Sequence, residues 1–430
     1  MKRVYTAPMT CAETISSYMT RLYDNGMTTT SGGNLSIMDE NGSLWISPSG
    51  VDKAHLCPDD IMEVTADGVI KGKHRPSTEY PFHLAVRRVR PDLKAVLHAH
   101  PAALVALSLA RLVPDIDLYP GVKEICGDIA VAKYALPGSD ELGGYVAEKF
   151  AQGYNVVILE NHGVCLGAET MEQAYRIFEA FEYAARVQIA AATLGGGERH
   201  LSADELAVKS VSCSLKTSTD ARGINDAEGA VRDEVIDMIR RCYKNKLFTA
   251  SYGVFAARAG NGFVITPKAC DVMNVNPEEL VFVSDGTAYG NAPCEAEMIA
   301  EIFAKHSDIN SVAVSRAPEI MGFAVTDAKF DSHLIPEGYI CLRNVSRYPF
   351  GTLENDRTTI TDNISMSTPI VIVENDCAIV AGTSPLNTYD RLEVMEFGAL
   401  SLRHLAALKK DVIRISPKDI RDIEIAFNLV

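Results

Sequence analysis

Hydrophobic positions along the chain alternate between a helical and a strand spacing. From Cys11 to Asn25, Ile15, Met19 and Leu22 recur on one helical face and Gly26 follows as a stop, which predicts a packing helix. Leu35-Ser36-Ile37 and Leu44-Trp45-Ile46 read as strands around Asn41-Gly42, a dipeptide that accepts the positive φ angles of a tight hairpin. A second strand pair is expected around Ala66-Asp67-Gly68. Tyr80 to Arg90, bounded by Pro91, predicts a helix. Ala95-Val96-Leu97 and Val156-Val157-Ile158-Leu159 are continuous apolar runs of the kind that form buried strands. Thr170 to Leu194 predicts a long helix ended by Gly195-Gly196-Gly197. Hairpins followed by helices predict an α+β unit with a mainly antiparallel sheet, not a doubly wound nucleotide-binding sheet.

The pattern then recurs. Glu278-Glu279-Leu280 takes the place of Pro58-Asp59-Asp60-Ile61, Pro293-Cys294-Glu295 that of Ser77-Thr78-Glu79, and Val371 to Asn375 that of Val157 to Asn161. A tandem duplication follows: residues 1–195 as one domain, 196–227 as a linker without sustained periodicity, and 228–430 as a second domain. In that reading Ser315, Ala317 and Asp376 stand where the first copy has His98, His100 and His162, and Val254 and Lys268 replace Asn34 and Ser49. The second copy is therefore expected to hold no metal.

Composition narrows the function classes. The 430 residues carry a formal net charge of −15, which disfavours nucleic acid and anionic membranes as partners. Met1 to Met19 has no apolar run suited to a signal peptide, so a cytoplasmic location is expected. The 10 cysteines are scattered without a CxxC pair, which indicates neither a disulfide framework nor a thiolate zinc site.

The candidate chemistry centres on His98-Ala99-His100 at the end of a strand. Alternation puts both imidazoles on one face, which suits two ligands of one metal. His162, at the end of the next apolar strand and followed by the flexible Gly163, can lean toward the same point. Three imidazoles leave a coordination position free, the pattern of a catalytic zinc, and manganese, iron or cobalt also suit such a set. The competing reading is three ordinary core histidines. Ser31-Gly32-Gly33-Asn34, Ser47-Pro48-Ser49-Gly50 and Ser77-Thr78 offer backbone N–H groups, hydroxyls and the Asn34 amide for a phosphate, or are simply turns. Glu79, at a helix start, is a candidate general base or an extra metal ligand, and His83, one helical turn on, is read as a structural hydrogen-bonding residue.

Taken in order, Gly33-Asn34, Ser49-Gly50, Pro76-Ser77-Thr78-Glu79, His98-Ala99-His100-Pro101 and Asn161-His162-Gly163 resemble the class II aldolase/adducin family, especially its fuculose- and rhamnulose-phosphate aldolases. The resemblance implies zinc ligands at His98, His100 and His162 and an acid/base residue at Glu79. It places the phosphate pocket at Gly33, Asn34, Ser49, Gly50, Ser77 and Thr78. It also implies a catalytic tyrosine reaching in from a neighbouring subunit; Tyr119 stands near the family's place for it, with a packing aromatic as the alternative reading. The expected activity is cleavage of a ketose 1-phosphate to dihydroxyacetone phosphate and an aldehyde through an enediolate. A sugar-phosphate 4-epimerase or dehydratase is the alternative within the family, and an adducin-like binding protein the alternative outside catalysis. The family's interface sites imply a homo-oligomer, here two chains arranged as a pseudo-tetramer of domains.

Overall fold

The structure, a computed structural model, describes residues 9–118, 120–207, 214–220 and 222–429. They form two compact units: one runs to Asp115 and resumes over Gly121–Ala185, and the other comprises Ile116–Pro120 and the chain from Arg186. Among the described residues no helix is long and apolar enough to cross a membrane.

The first unit is an α+β fold on an eight-stranded sheet. Its strands are β1 (Asn34–Met38), β2 (Leu44–Ile46), β3 (Met62–Val64), β4 (Ile70–Lys71), β5 (Ala95–Ala99), β6 (Ile129–Ala132), β7 (Val156–Leu159) and β8 (Gly163–Ala168), in the order β4-β3-β2-β1-β5-β8-β7-β6. Every pairing is antiparallel except β6 with β7. The apolar runs account for the centre: β5, β7 and β8 are buried along their whole length, as strands covered on both faces require. The helix Cys11–Asp24 begins where Thr10 and Glu13 satisfy each other's backbone N–H groups. The helix Tyr80–Val89 buries Phe82, His83, Val86 and Arg87. The β1–β2 connection is wider than the tight hairpin expected. Only Gly42 takes a positive φ (81°), and the Asp39 carboxylate organises the loop by accepting from Asn41 N and Ser43 N, each at 2.9 Å.

The second unit repeats this plan. Its strands are β9 (Lys216–Ser218), β10 (Val254–Ala259), β11 (Gly262–Ile265), β12 (Val281–Ser284), β13 (Thr287–Tyr289), β14 (Ser311–Ser315), β15 (Val345–Tyr348), β16 (Ile370–Val373) and β17 (Cys377–Gly382). The order β15-β16-β17-β14-β10-β11-β12-β13-β9 is the first sheet's order with one strand added. That strand, β9, comes from the stretch expected to be a linker and pairs in parallel with β13. The stretch also contributes the helical turn Ala203–Leu206, and the next helix, Asp226–Lys244, starts at its Asn225 cap. A three-residue edge strand held by backbone pairing leaves no periodic side-chain signal.

Strand register corrects the assignment of the second copy's residues. Asn161 (φ 56°) and Asn375 (φ 54°) fix equivalent turns between β7–β8 and β16–β17. Ala99 pairs with Val164 and Ser315 with Ala378, so Ser315 matches Ala99. The counterparts of His98 and His100 are therefore Val314 and Arg316, not Ser315 and Ala317. A slip of one residue along a strand exchanges its faces. Asp376 stays opposite His162, and Ala269 (φ 56°) stands where Gly50 (φ 70°) does.

Glycine has a direct packing role beside β5. A Cβ on Gly163 would lie 2.5 Å from Ala99 O and 2.6 Å from His100 Cδ2, so the strand ends meet only through a bare backbone. Gly163→Ala is expected to destabilise the first unit by about 1–3 kcal/mol, read as a lower midpoint in urea unfolding.

Candidate active site

Four elements of the first unit converge at one end of its sheet. β5 supplies His98 and, immediately after its end, His100. The β7–β8 turn supplies His162, the start of the helix Tyr80–Val89 supplies Glu79, and β1 supplies Asn34, paired across from His98. One ring nitrogen from each of the three histidines lies within 4.8 Å of the others. His98 Nε2 and His100 Nε2 are 2.9 Å apart. Glu79 closes the group, with Oε2 3.1 Å from His98 Nε2 and Oε1 3.2 Å from His162 Nε2.

The tautomer of His98 follows from its surroundings. Its Nδ1 lies 2.9 Å from the Val164 carbonyl, which can only accept, so Nδ1 carries the hydrogen in the neutral ring. The bare Nε2 then faces the centre of the cluster. Burial, together with the other imidazoles, pushes His100 down to about 3. Burial and His98 push His162 down to about 4. Burial opposes ionisation of Glu79, but His98, the Asn34 amide and His162 outweigh it and hold the carboxyl well below the usual range. The centre is thus a set of buried imidazoles around an ionised carboxylate.

The small-residue loops assemble beside this group. The backbone of Pro48 bridges that of Pro76, Ser49 N donates to Arg75 O, and Ser77 N donates to Ser47 O. Gly33 (φ 71°) lies so close to β5 that an added Cβ would be 2.8 Å from His98 O. Gly50 and Thr78 are exposed, Ser49 is half-buried and Ser77 is buried. The Asn34 side chain is engaged elsewhere: its Nδ2 donates to Glu79 Oε2 at 2.7 Å. Tyr119 lies outside the described residues.

Two contributors were not singled out from sequence. Lys53 is buried beneath the Ser47–Gly50 loop, its Nζ 2.5 Å from Pro48 O, and burial pushes it down to about 8. Ser36 Oγ lies 2.7 Å from His83 Nδ1. Its signal was present, since Asn34 and Ser36 alternate onto one face of a strand, as Glu79 and His83 share one face of a helix.

In the second unit the matching positions have other chemistry. Arg316 Nη2 pairs with Asp376 Oδ1 at 3.0 Å, joining the residues opposite His100 and His162. Desolvation pushes the Glu295 carboxyl up, the reverse of its counterpart Glu79.

A family model described as Class II Aldolase and Adducin N-terminal domain matches residues 13–189 and again 233–401. A 5-deoxy-D-ribulose 1-phosphate aldolase of Bacillus thuringiensis is 31% identical over 186 residues, covering 43% of this chain and 86% of the relative. An L-fuculose phosphate aldolase of Methanocaldococcus jannaschii is 35% identical over 172 residues, covering 39% and 90%. A 3-oxo-tetronate 4-phosphate decarboxylase of Escherichia coli is 31% identical over 183 residues, covering 41% and 86%.

The buried imidazoles set an acid limit on stability. Burial also pushes His83 down to about 3, so His83, His100 and His162 stay neutral in the fold where an unfolded chain protonates them near 6.5. The unfolded state then binds more protons, and stability falls as pH drops below 6.5. The slope approaches about 4 kcal/mol per pH unit for three such groups. Below pH 4.5 the unfolded chain also protonates Glu79, which the fold keeps ionised, and this adds to the fall. Urea midpoints of chelator-treated protein between pH 7 and pH 5 are expected to drop accordingly.

Proposed function

This chain belongs to the class II aldolase and adducin family, and from that premise we propose that it is a metal-dependent aldolase that cleaves a ketose 1-phosphate to dihydroxyacetone phosphate and an aldehyde. The observation that carries this reading is the convergence of three imidazoles on Glu79. The ring nitrogens His98 Nε2 and His100 Nε2 lie 2.9 Å apart, and among the described residues buried Glu79 Oε1 has no hydrogen-bond partner. The donor set therefore fits a divalent metal held by His98, His100 and His162, zinc by ligand type, with manganese, iron or cobalt also compatible. When bound, such an ion supplies Lewis-acid polarisation of a substrate oxygen.

The chain's own groups perform the remaining work. Gly33 and Gly50 present backbone N–H groups and Ser49, Ser77 and Thr78 present hydroxyls to the substrate phosphate, with Asn34 at the base of the pocket and the Lys53 charge beneath the loop. In the condensation direction, the ionised Glu79 takes a proton from the hydroxymethyl carbon of dihydroxyacetone phosphate. The freed electron pair forms the bond to the aldehyde carbon, and the aldehyde oxygen receives a proton from a second group, either Tyr119 or a residue of a neighbouring subunit. Cleavage runs these steps backwards.

Decarboxylation of a 3-oxo 4-phosphate acid is the second reading, favoured by the 31% identical relative named for that reaction. Loss of carbon dioxide leaves the same kind of electron pair next to a carbonyl, so the same residues would serve. Product analysis separates the two: release of dihydroxyacetone phosphate from a ketose 1-phosphate supports the aldolase, and carbon dioxide from a 3-oxo acid supports the decarboxylase.

Elemental analysis should find one divalent ion per chain, removed with all activity by EDTA and absent from His100→Ala. Glu79→Gln should keep the metal and lower kcat by about 10²–10⁴-fold. Full turnover after either metal loss or Glu79→Gln would refute the mechanism.

A further inference from the structure

Behind Glu79 the buried polar groups form a line. Asn34 Nδ2 donates to Glu79 Oε2 at 2.7 Å, which turns the amide oxygen Oδ1 toward His83 Nε2 at 2.5 Å. An amide oxygen only accepts, so His83 must carry its hydrogen on Nε2. The neutral ring then has a bare Nδ1, which accepts from the Ser36 hydroxyl at 2.7 Å. Ser36 and His83 are fully buried, Asn34 is 3% exposed, and the His83 ring stacks on Phe82 at 4.5 Å between centroids. Each member therefore has one hydrogen-bonding direction open to it.

We propose that Ser36 and His83 are positioning residues that hold the Asn34 amide with its N–H toward Glu79, fixing the orientation of that carboxylate. This rests on reading Glu79 as the proton carrier of the reaction.

The second copy separates this role from a need of the fold. Register places Val254, Ala256 and Ile299 at the positions of Asn34, Ser36 and His83, behind Glu295. All three belong to that unit's apolar core, at 8%, 0% and 0% exposure. The same architecture thus closes around an apolar trio. A buried polar line that the fold can omit, and that imposes a cost unless every member is satisfied, is present in the copy that has the imidazoles and absent from the copy that lacks them. Among the described residues its far end reaches Glu79, so its effect on chemistry passes through the Asn34 amide.

The paired variant Ser36→Ala/His83→Ile copies the second unit's packing and keeps Asn34. It should fold, bind one metal ion per chain, and leave KM within about twofold while kcat falls about 10- to 100-fold, as for a misaligned catalytic group. His83→Gln, which retains an N–H donor, should recover part of the loss. A folded, metal-loaded pair variant with wild-type kcat would overturn the proposal. Nitrogen-15 NMR of the His83 ring in the wild-type chain gives a readout independent of turnover: the Nε2–H tautomer is expected, and an Nδ1–H tautomer overturns the line whatever the enzyme does. If no substrate turns over while the Nε2–H tautomer is present, the aldolase reading fails and the hydrogen-bond assignment survives.

Discussion

The first unit depends on the register of β5 between β1 and β8. The pairing with β1 sets His98 opposite Asn34, and the pairing with β8 brings the Val164 carbonyl to His98 Nδ1. The first contact places the amide that holds Glu79, and the second fixes which nitrogen of His98 is bare. A shift of one residue would turn both imidazoles into the opposite face and leave no group of nitrogens at all. The glycines beside this strand follow from the same constraint: Gly33 and Gly163 let neighbouring backbone approach where a methyl group would collide.

Electrostatics then follows from placement. Desolvation by itself raises a carboxyl at the position of Glu79, and in the second unit it pushes the equivalent Glu295 up. Glu79 stays ionised because His98, Asn34 and His162 surround it. Two copies of one backbone thus hold the same side chain at opposite ends of its titration behaviour, with the neighbours as the difference.

Much of this was legible in the sequence because it rests on short-range patterns. The apolar runs marked β5 and β7, helical spacing and glycine stops marked Cys11–Asp24 and Met171–Leu194, and alternation put His98 and His100 on one face. The duplication was legible from matching dipeptides, and the two sheets repeat the same strand order. What escaped depends on contacts distant along the chain. Strand β9 has only three residues and is defined by its parallel partner. The Val314 and Arg316 correspondence needs the pairing with β17, since the extra residue between Arg316 and Pro318 misleads an alignment anchored on proline. The Asn34 amide was read as facing an anion, whereas its orientation is decided by Glu79 and His83, 45 and 49 residues away.

Ala269 preserves, in an alanine, the left-handed bend that Gly50 makes in the first unit. Such a bend disfavours any residue with a Cβ by about 1–2 kcal/mol, so its survival shows the path of this loop being imposed by what surrounds it. The two copies have diverged by exchanging side chains over an inherited chain trace. The second unit is consequently a template with its original contours intact, on which donor atoms can be restored position by position without redrawing the backbone.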